Sequence, residues 1–346
     1  MPNAVPALRS VAALPQPYLL FLGDTTEAGY AKTAFGLRDW AGGRCVGEYA
    51  CADATVTTGL PFLSPAQARL AGARAMVIGV ANPGGRIPAA WLPLLVEALQ
   101  AGLDLIGGMH ARLSAIESLR NVALAHGRRL IDVREPPADL PVASGRKRSG
   151  RRLLTVGTDC ALGKKYTALA LAREFRARGI DADFRASGQT GILIAGQGIP
   201  MDAVVADFAA GAAETLSPDA DPAHWDLIEG QGSLSHPAYA GVSLALLHGS
   251  QPDVVVVCHE YGRERVLGHP DYLLPSLEET IDLVLRLGAR TNPAIRCAGI
   301  SLNTGKLEEA EALRAMGEIA ARLGLPAADP IRGGDAFARL VDSCLA

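Results

Sequence analysis

Short apolar runs, each closed by glycine or a small polar residue and followed by helical spacing of apolar positions, recur along the chain. Tyr18 to Leu22 (YLLFL) ends in Gly23-Asp24-Thr25, Ala75 to Val80 (AMVIGV) in Asn82-Pro83-Gly84-Gly85, and Asp104 to Ile106 in Gly107-Gly108. Ala89 to Leu99 and Ala111 to Ala125 have helical spacing, and Leu130 to Val133 is again a strand pattern. Such alternation predicts a parallel sheet covered on both faces, with ligands outside the carboxyl ends of the strands. This half is Rossmann-like in pattern, although no G-x-G-x-x-G follows its first strand.

The pattern breaks at Arg134 to Gly150 (REPPADLPVASGRKRSG), rich in proline, small and basic residues. A boundary is expected there, dividing the chain into residues 1–140 and 141–346. Arg146-Lys147-Arg148 and Arg151-Arg152 beside it read as a solvated linker. A second α/β unit follows, with strands expected at Leu153 to Val156, Ala182 to Arg185, Leu227 to Glu229, Val254 to Cys258 and Ala298 to Leu302. Each runs into a polar or glycine-bearing loop, and in a doubly wound sheet those loops converge on one edge. No internal repeat of solenoid length occurs.

The densest chemistry lies in Leu153 to Thr167, LLTVGTDCALGKKYT, an apolar strand entering a glycine-bracketed loop and then a helix pattern, Thr167 to Arg178, stopped by Gly179. Such a loop turns backbone N–H groups inward, sits on the positive end of a helix and adds a lysine to the same anion. Gly157 and Gly163 supply the turns and Lys164 the lysine. The spacing departs from G-x-x-x-x-G-K-[ST], because five residues separate the glycines and Lys165 occupies the slot of the Mg²⁺-binding hydroxyl. Tyr166 follows, and Thr167 comes two positions late. A phosphate or pyrophosphate is therefore expected in the cradle, while a metal-assisted triphosphate reaction is disfavoured. The fold class that follows is α/β, with a Rossmann-like N-terminal domain and a P-loop NTPase-like doubly wound C-terminal sheet.

Composition narrows the field. The 346 residues are 49% hydrophobic and 20% charged with a net charge of −3, so a large core is available and no basic excess points to nucleic acid. Six cysteines without metal spacing favour reduced thiols in the cytoplasm. The first fifteen residues, broken by Pro2, Pro6 and Pro15, do not suit a signal peptide or a membrane span.

Around the cradle several residues carry alternatives. Glu229 closes an apolar strand where P-loop proteins place a metal- or water-positioning carboxylate, or it caps a helix or pairs with Lys164. Gln231-Gly232-Ser233 can present donors, and His236, just beyond, suits proton transfer or is an ordinary loop histidine. His259-Glu260 emerges from the run VVVVC, followed by Tyr261, Arg263, Arg265 and His269-Pro270. Arginines there clamp a carboxylate or begin a salt-bridged helix. Ser187, Gln189 and Thr190 offer neutral donors or form a glycine-rich turn, and Asn303 pairs with an adenine edge or caps a turn.

Two families share these pieces. Gly157-Thr158-Asp159, Gly163-Lys164, Ile228 to Gly232 and Leu302-Asn303 resemble the dethiobiotin synthetase branch of P-loop proteins, which implies ATP, Mg²⁺ and carboxylate activation by a ligase or kinase. Over nearly its whole length the chain more closely resembles the D-glutamate N-acetyltransferase family, formerly a domain-of-unknown-function family. That resemblance rests on Gly23-Asp24-Thr25 with Lys32-Thr33, GTDCALGKKYTALAL from Gly157, ASGQTGILIAG from Ala186, IEGQGSLSHPAY from Ile228 and CHEYGRERVLGHP from Cys258. It implies a Rossmann-like domain followed by a P-loop-type domain, transfer of acetyl from acetyl-CoA to the amine of D-glutamate or a close acidic amino acid in D-amino-acid catabolism, and no metal. The expected donor-binding residues are then Gly157, Thr158, Asp159, Cys160, Gly163, Lys164, Lys165, Tyr166 and Asn303. The base is expected at His236 or Glu229, with His269 and His259 behind them. The oxyanion is expected on backbone N–H groups near Gly232-Ser233 or Gly188-Gln189. Acceptor seats are expected among Arg263, Arg185, Lys165, Ser187, Gln189, Thr190, Gln231 and Ser233. An acetyl-Cys160 intermediate is the minor route, and a nucleotide-sensing module is the reading outside enzymology. Neither membrane nor nucleic acid is an expected partner, and a homo-oligomer is left open.

Overall fold

The computed structural model describes residues 14–346, so the proline-broken N-terminal segment lies almost wholly outside the described residues. Contacts divide the chain into two units. The first holds residues 14–136 and Gln189–Pro200, and the second holds Pro137–Gly188 and Met201–Ala346. The boundary falls at the edge of the proline-rich stretch, but the sequence pattern did not foresee that Gln189–Pro200 packs with the first unit.

The first unit is a parallel sheet of β1 (Tyr18–Phe21), β2 (Cys45–Tyr49), β3 (Ala75–Ile78), β4 (Asp104–Gly107) and β5 (Leu130–Asp132) in the order β2-β1-β3-β4-β5. β1, β3 and β4 are buried along their whole length, as strands covered on both faces must be. Leu19, Phe21, Met76 and Trp91 belong to its core. The expected helix over Ala111 to Ala125 is realised only from Glu117 onward, because Asp132 accepts from the Leu113 and Ser114 N–H groups and fixes a separate 3-10 turn there.

The second unit is a parallel sheet of β6 (Arg151–Gly157), β7 (Ala182–Arg185), β8 (Trp225–Ile228), β9 (Val254–Glu260), β12 (Arg296–Asn303) and β13 (Ala327–Ala328), ordered β13-β12-β9-β6-β8-β7. A separate antiparallel hairpin of β10 (Arg265–Val266) and β11 (His269–Leu273) follows β9. The central β6, β8 and β9 are almost wholly buried, and their carboxyl ends carry the glycine-rich loops. Between Cys297 and Gly299 β12 slips register against β9.

The basic stretch is a correction to the linker reading. Arg148 and Arg152 are buried. Arg152 donates to the Ser217 hydroxyl at 2.7 Å and to the carbonyls of Arg148, Ser149, Gly150 and Pro218. Arg148 donates to the carbonyls of Ser217, Gly249 and Ser250, and burial pulls its pKa down to about 10. These guanidiniums staple the entry of the second unit to its own core.

Candidate functional site

The cradle forms where β6 runs into the helix Lys164–Ala177. Gly163, the residue before the helix, has a φ of 104°, a left-handed conformation open to glycine at little cost, and Ala161 has a φ of 54°. The loop thus bends back on itself and meets the positive end of a long helix, an arrangement suited to an anion. Lys164 is buried, and its Nζ crosses the loop to donate to the Asp159 carbonyl at 2.6 Å. Burial pulls its pKa down, against the pull of Cys258, Cys160 and Asp159. The next hydroxyl, Thr167, does not stand in for the missing Mg²⁺ ligand: it donates to the Gly163 carbonyl at 3.1 Å and meets Ser301 Oγ at 2.7 Å in the interior.

Asp159 and Arg263, expected to touch ligand, instead brace the loop. The Asp159 carboxylate is fully buried and accepts from the Cys160 N–H at 2.6 Å, the Leu267 N–H at 2.8 Å and Arg263 Nη1 at 3.1 Å. Arg263 also donates to the Cys160 carbonyl at 2.9 Å and to Glu260, whose other oxygen takes Lys306 Nζ at 2.6 Å. Its charge is thus shared between two carboxylates, Asp159 and Glu260. Arg185 is redirected too, since its side chain runs back along the sheet to Asp226 at 2.5 Å and Asp183 at 3.5 Å.

Glu229 follows β8 directly. Its Oε2 accepts from the Ser187 and Gly188 N–H groups at 3.0 and 3.1 Å. Burial pushes its carboxyl up to about 7, although Lys165, those two N–H groups and Lys164 all act in the opposite direction. The following turn is pressed onto β6: the Gly230 N–H donates to Thr155 Oγ1 at 3.0 Å, and a Cβ on Gly230 would fall 1.7 Å from the Thr155 carbonyl oxygen. Ser187 donates to the Glu229 carbonyl at 2.5 Å and accepts from Gln231 Nε2 at 3.0 Å, while Ser233 donates to the Thr158 carbonyl at 3.1 Å. These three side chains fix the loops around Glu229. Gln189 and Thr190 are committed to the first unit, Gln189 packing on Gly108 and Thr190 Oγ1 meeting Thr33 Oγ1 at 2.9 Å.

The imidazoles differ. His236 is buried, its Nδ1 accepts from the Ala238 N–H at 3.0 Å, and its Nε2 faces Asp159 Oδ1 at 3.8 Å. Burial lowers its pKa, so the ring is neutral and, with Nδ1 accepting, carries its proton on Nε2. Such a ring has no lone pair to offer an ammonium. It packs against Tyr239 at 4.6 Å and edge-on against His269 at 5.2 Å. His259 Nδ1 meets Thr158 Oγ1 at 2.9 Å, and burial lowers its pKa. Asn303 adopts the turn-capping alternative, its Oδ1 accepting from the Gly305 N–H at 3.1 Å.

Ligand atoms of Asp159, Cys160 and His236 lie within 4.8 Å of one another, a donor set of the kind that binds zinc. Its hydrogen bonds oppose that use, because Nε2 bears a proton and Asp159 already serves two N–H groups and a guanidinium. The bracing hairpin went unpredicted, although Gly268 between two short runs was its signal.

No described helix is long and apolar enough to cross a membrane. Residues 141–341 match the P-loop domain of DUF1611, a domain of unknown function, and residues 43–136 match its Rossmann-like N-terminal domain. A protein of Tritonibacter scottomollicae named D-glutamate N-acetyltransferase is 51% identical over 330 residues, covering 95% of this chain and 98% of that one. One of Pseudoalteromonas with the same name is 46% identical over 318 residues, covering 92% and 96%. The crystal structure of a DUF1611 family protein from Anabaena variabilis aligns with a TM-score of 0.84 at 35% identity, covering 96% of this chain and 99% of that one. Loop, sheet order and sequence agree, and the chain belongs to the DUF1611 family, with its Rossmann-like and P-loop domains.

Proposed function

We propose that this chain is an N-acetyltransferase that moves acetyl from acetyl-CoA to the amino group of D-glutamate, in D-amino-acid catabolism in the cytoplasm. The observation that carries the reading is a phosphate cradle whose hydroxyl slot holds Lys165 and whose neighbouring carboxyl, Glu229, sits near 7. Coenzyme A brings a pyrophosphate to hold but no γ-phosphate to transfer, so a lysine where Mg²⁺ would be held is no handicap. The names of the relatives supply the acceptor.

In this reading the cradle holds the donor's pyrophosphate through Gly163, Lys164 and Lys165. Glu229 takes a proton from the acceptor's ammonium, the amine attacks the thioester carbonyl, the C–N bond forms as the C–S bond breaks, and the thiolate leaves to be protonated. The Gly188 N–H is spent on Glu229, which leaves the Gly232-Ser233 turn to meet the developing oxyanion. Arg185 and Arg263 are neutralised by carboxylates and are left out of the acceptor's seats. His236 positions the loop through Ala238 and the Asp159 side. Glu229→Gln is expected to lower turnover by roughly two orders of magnitude or more while isothermal titration shows CoA affinity little changed. Wild-type turnover in that variant removes Glu229 from the mechanism.

A further inference from the structure

Besides its pyrophosphate, the acyl donor carries a 3′-phosphate on its adenosine end, and the geometry points to a cleft of about 600 Å³ beside the cradle as the seat of that group. The inference rests on the acetyl-CoA reading above. The cleft opens between the turn after β9 and the hairpin β10–β11, and its walls set three cations, Arg263, Arg265 and Lys306, against two carboxylates, Glu260 and Glu264, with Tyr261 beside them. Those walls also brace the cradle, since the Leu267 N–H holds Asp159 at 2.8 Å and Arg263 holds the Cys160 carbonyl at 2.9 Å. The cleft thus shares Arg263 and Leu267 with the bracing of the loop, and the inference places the adenosine end there.

Its chemistry suits a phosphomonoester on a purine nucleoside. Lys306 rests on Glu260 at 2.6 Å, but its side chain is 83% exposed and Glu260 keeps Arg263 if Lys306 turns to an arriving phosphate. Arg265 donates to the Pro270 carbonyl at 2.7 Å from the hairpin's surface, and a guanidinium pairs well with phosphate through a second edge. Tyr261, 42% exposed, offers an aromatic face for adenine. Two other clefts in this unit are less suited. One of about 420 Å³ sets Glu279 and Asp282 against a single Arg286. One of about 630 Å³ balances Glu264 and Glu318 against Arg263 and Arg322.

The readout is discrimination between CoA and dephospho-CoA, measured by isothermal titration on the full chain. The wild type is expected to bind CoA roughly tenfold or more tightly than dephospho-CoA, the size of a charge-assisted contact. Lys306→Ala with Arg265→Ala is expected to bring the two ligands within about twofold while dephospho-CoA binds as before, which also certifies the variant's fold. Equal binding of both ligands by the wild type, or an unchanged ratio in the double variant, overturns the subsite while CoA binding leaves the donor reading standing. Absence of CoA binding by the wild type, together with absent thiol release from acetyl-CoA, overturns both.

Discussion

At the scale of single residues the site turns on Glu229 and His236, which composition and position made equal candidates for the base. Hydrogen bonding separates them. The His236 lone pair is spent on Ala238, whereas burial keeps the Glu229 carboxyl close to neutral pH. A base must be ionised to act, so kcat/KM for acetyl transfer is expected to fall below pH about 7 on a limb set by Glu229. His236→Asn should lower the rate without moving that limb, and a limb displaced in His236→Asn would return the base to the imidazole. The same shift has a stability consequence. A carboxyl raised from 4.5 to about 7 contributes stability that is full below the unfolded value and lost as pH rises through the folded one. Glu229→Gln keeps an oxygen for the Ser187 and Gly188 N–H groups and never ionises, so it should be more stable than wild type at pH 8, by about 1–3 kcal/mol in urea unfolding. Equal stability at that pH would mean that Glu229 is not strained by burial.

At the scale of elements, the hairpin β10–β11 and the turn before it hold the cradle loop through Leu267, Arg263 and Asp159. Arg263→Ala is expected to raise the KM for acetyl-CoA about tenfold or more with a smaller change in kcat, and Arg263→Lys to recover part of it. An unaltered KM in Arg263→Ala would show that the loop keeps its shape without the brace. Arg152 is the corresponding anchor at the other end of β6. Arg152→Met leaves four carbonyls and the Ser217 hydroxyl without this donor and should cost about 3–5 kcal/mol in the same unfolding measurement. Strands β6, β8 and β9 were legible because central parallel strands are largely apolar runs bounded by glycine and polar residues. Less legible was β2, whose run CVGEY contains Gly47 and Glu48. Glu48 is buried only because Thr57 and Thr58 donate to it. The roles of Arg148, Arg152, Arg185 and Arg263 were hidden for the same reason, since a basic residue in a sequence does not show which carbonyls or carboxylates will surround it. Gln189–Pro200 packs with the first unit and not with its sequence neighbours because its partners, Thr33 and Arg44, are remote in sequence.

At the scale of the molecule, two parallel sheets carry two different loop grammars, and among the described residues the second carries the P-loop. The alternation of strand and helix patterns made both sheets readable, and the GTDCALGKKYT segment made the cradle readable. The sequence could not show which polar groups around the cradle remain available once the loops have braced one another. The ATP-dependent ligase alternative differs from the acetyltransferase at Lys165: with Lys165→Thr, an acetyltransferase gains no Mg²⁺ requirement, whereas a ligase gains one in ADP formation. The most direct test of the whole account is thiol release from acetyl-CoA by the full chain, with D-glutamate, L-glutamate, D-aspartate or no acceptor, in the presence of EDTA. Release with D-glutamate and little with the others is the predicted result. No release with any acceptor, together with Mg²⁺-dependent ADP formation from ATP, would contradict it.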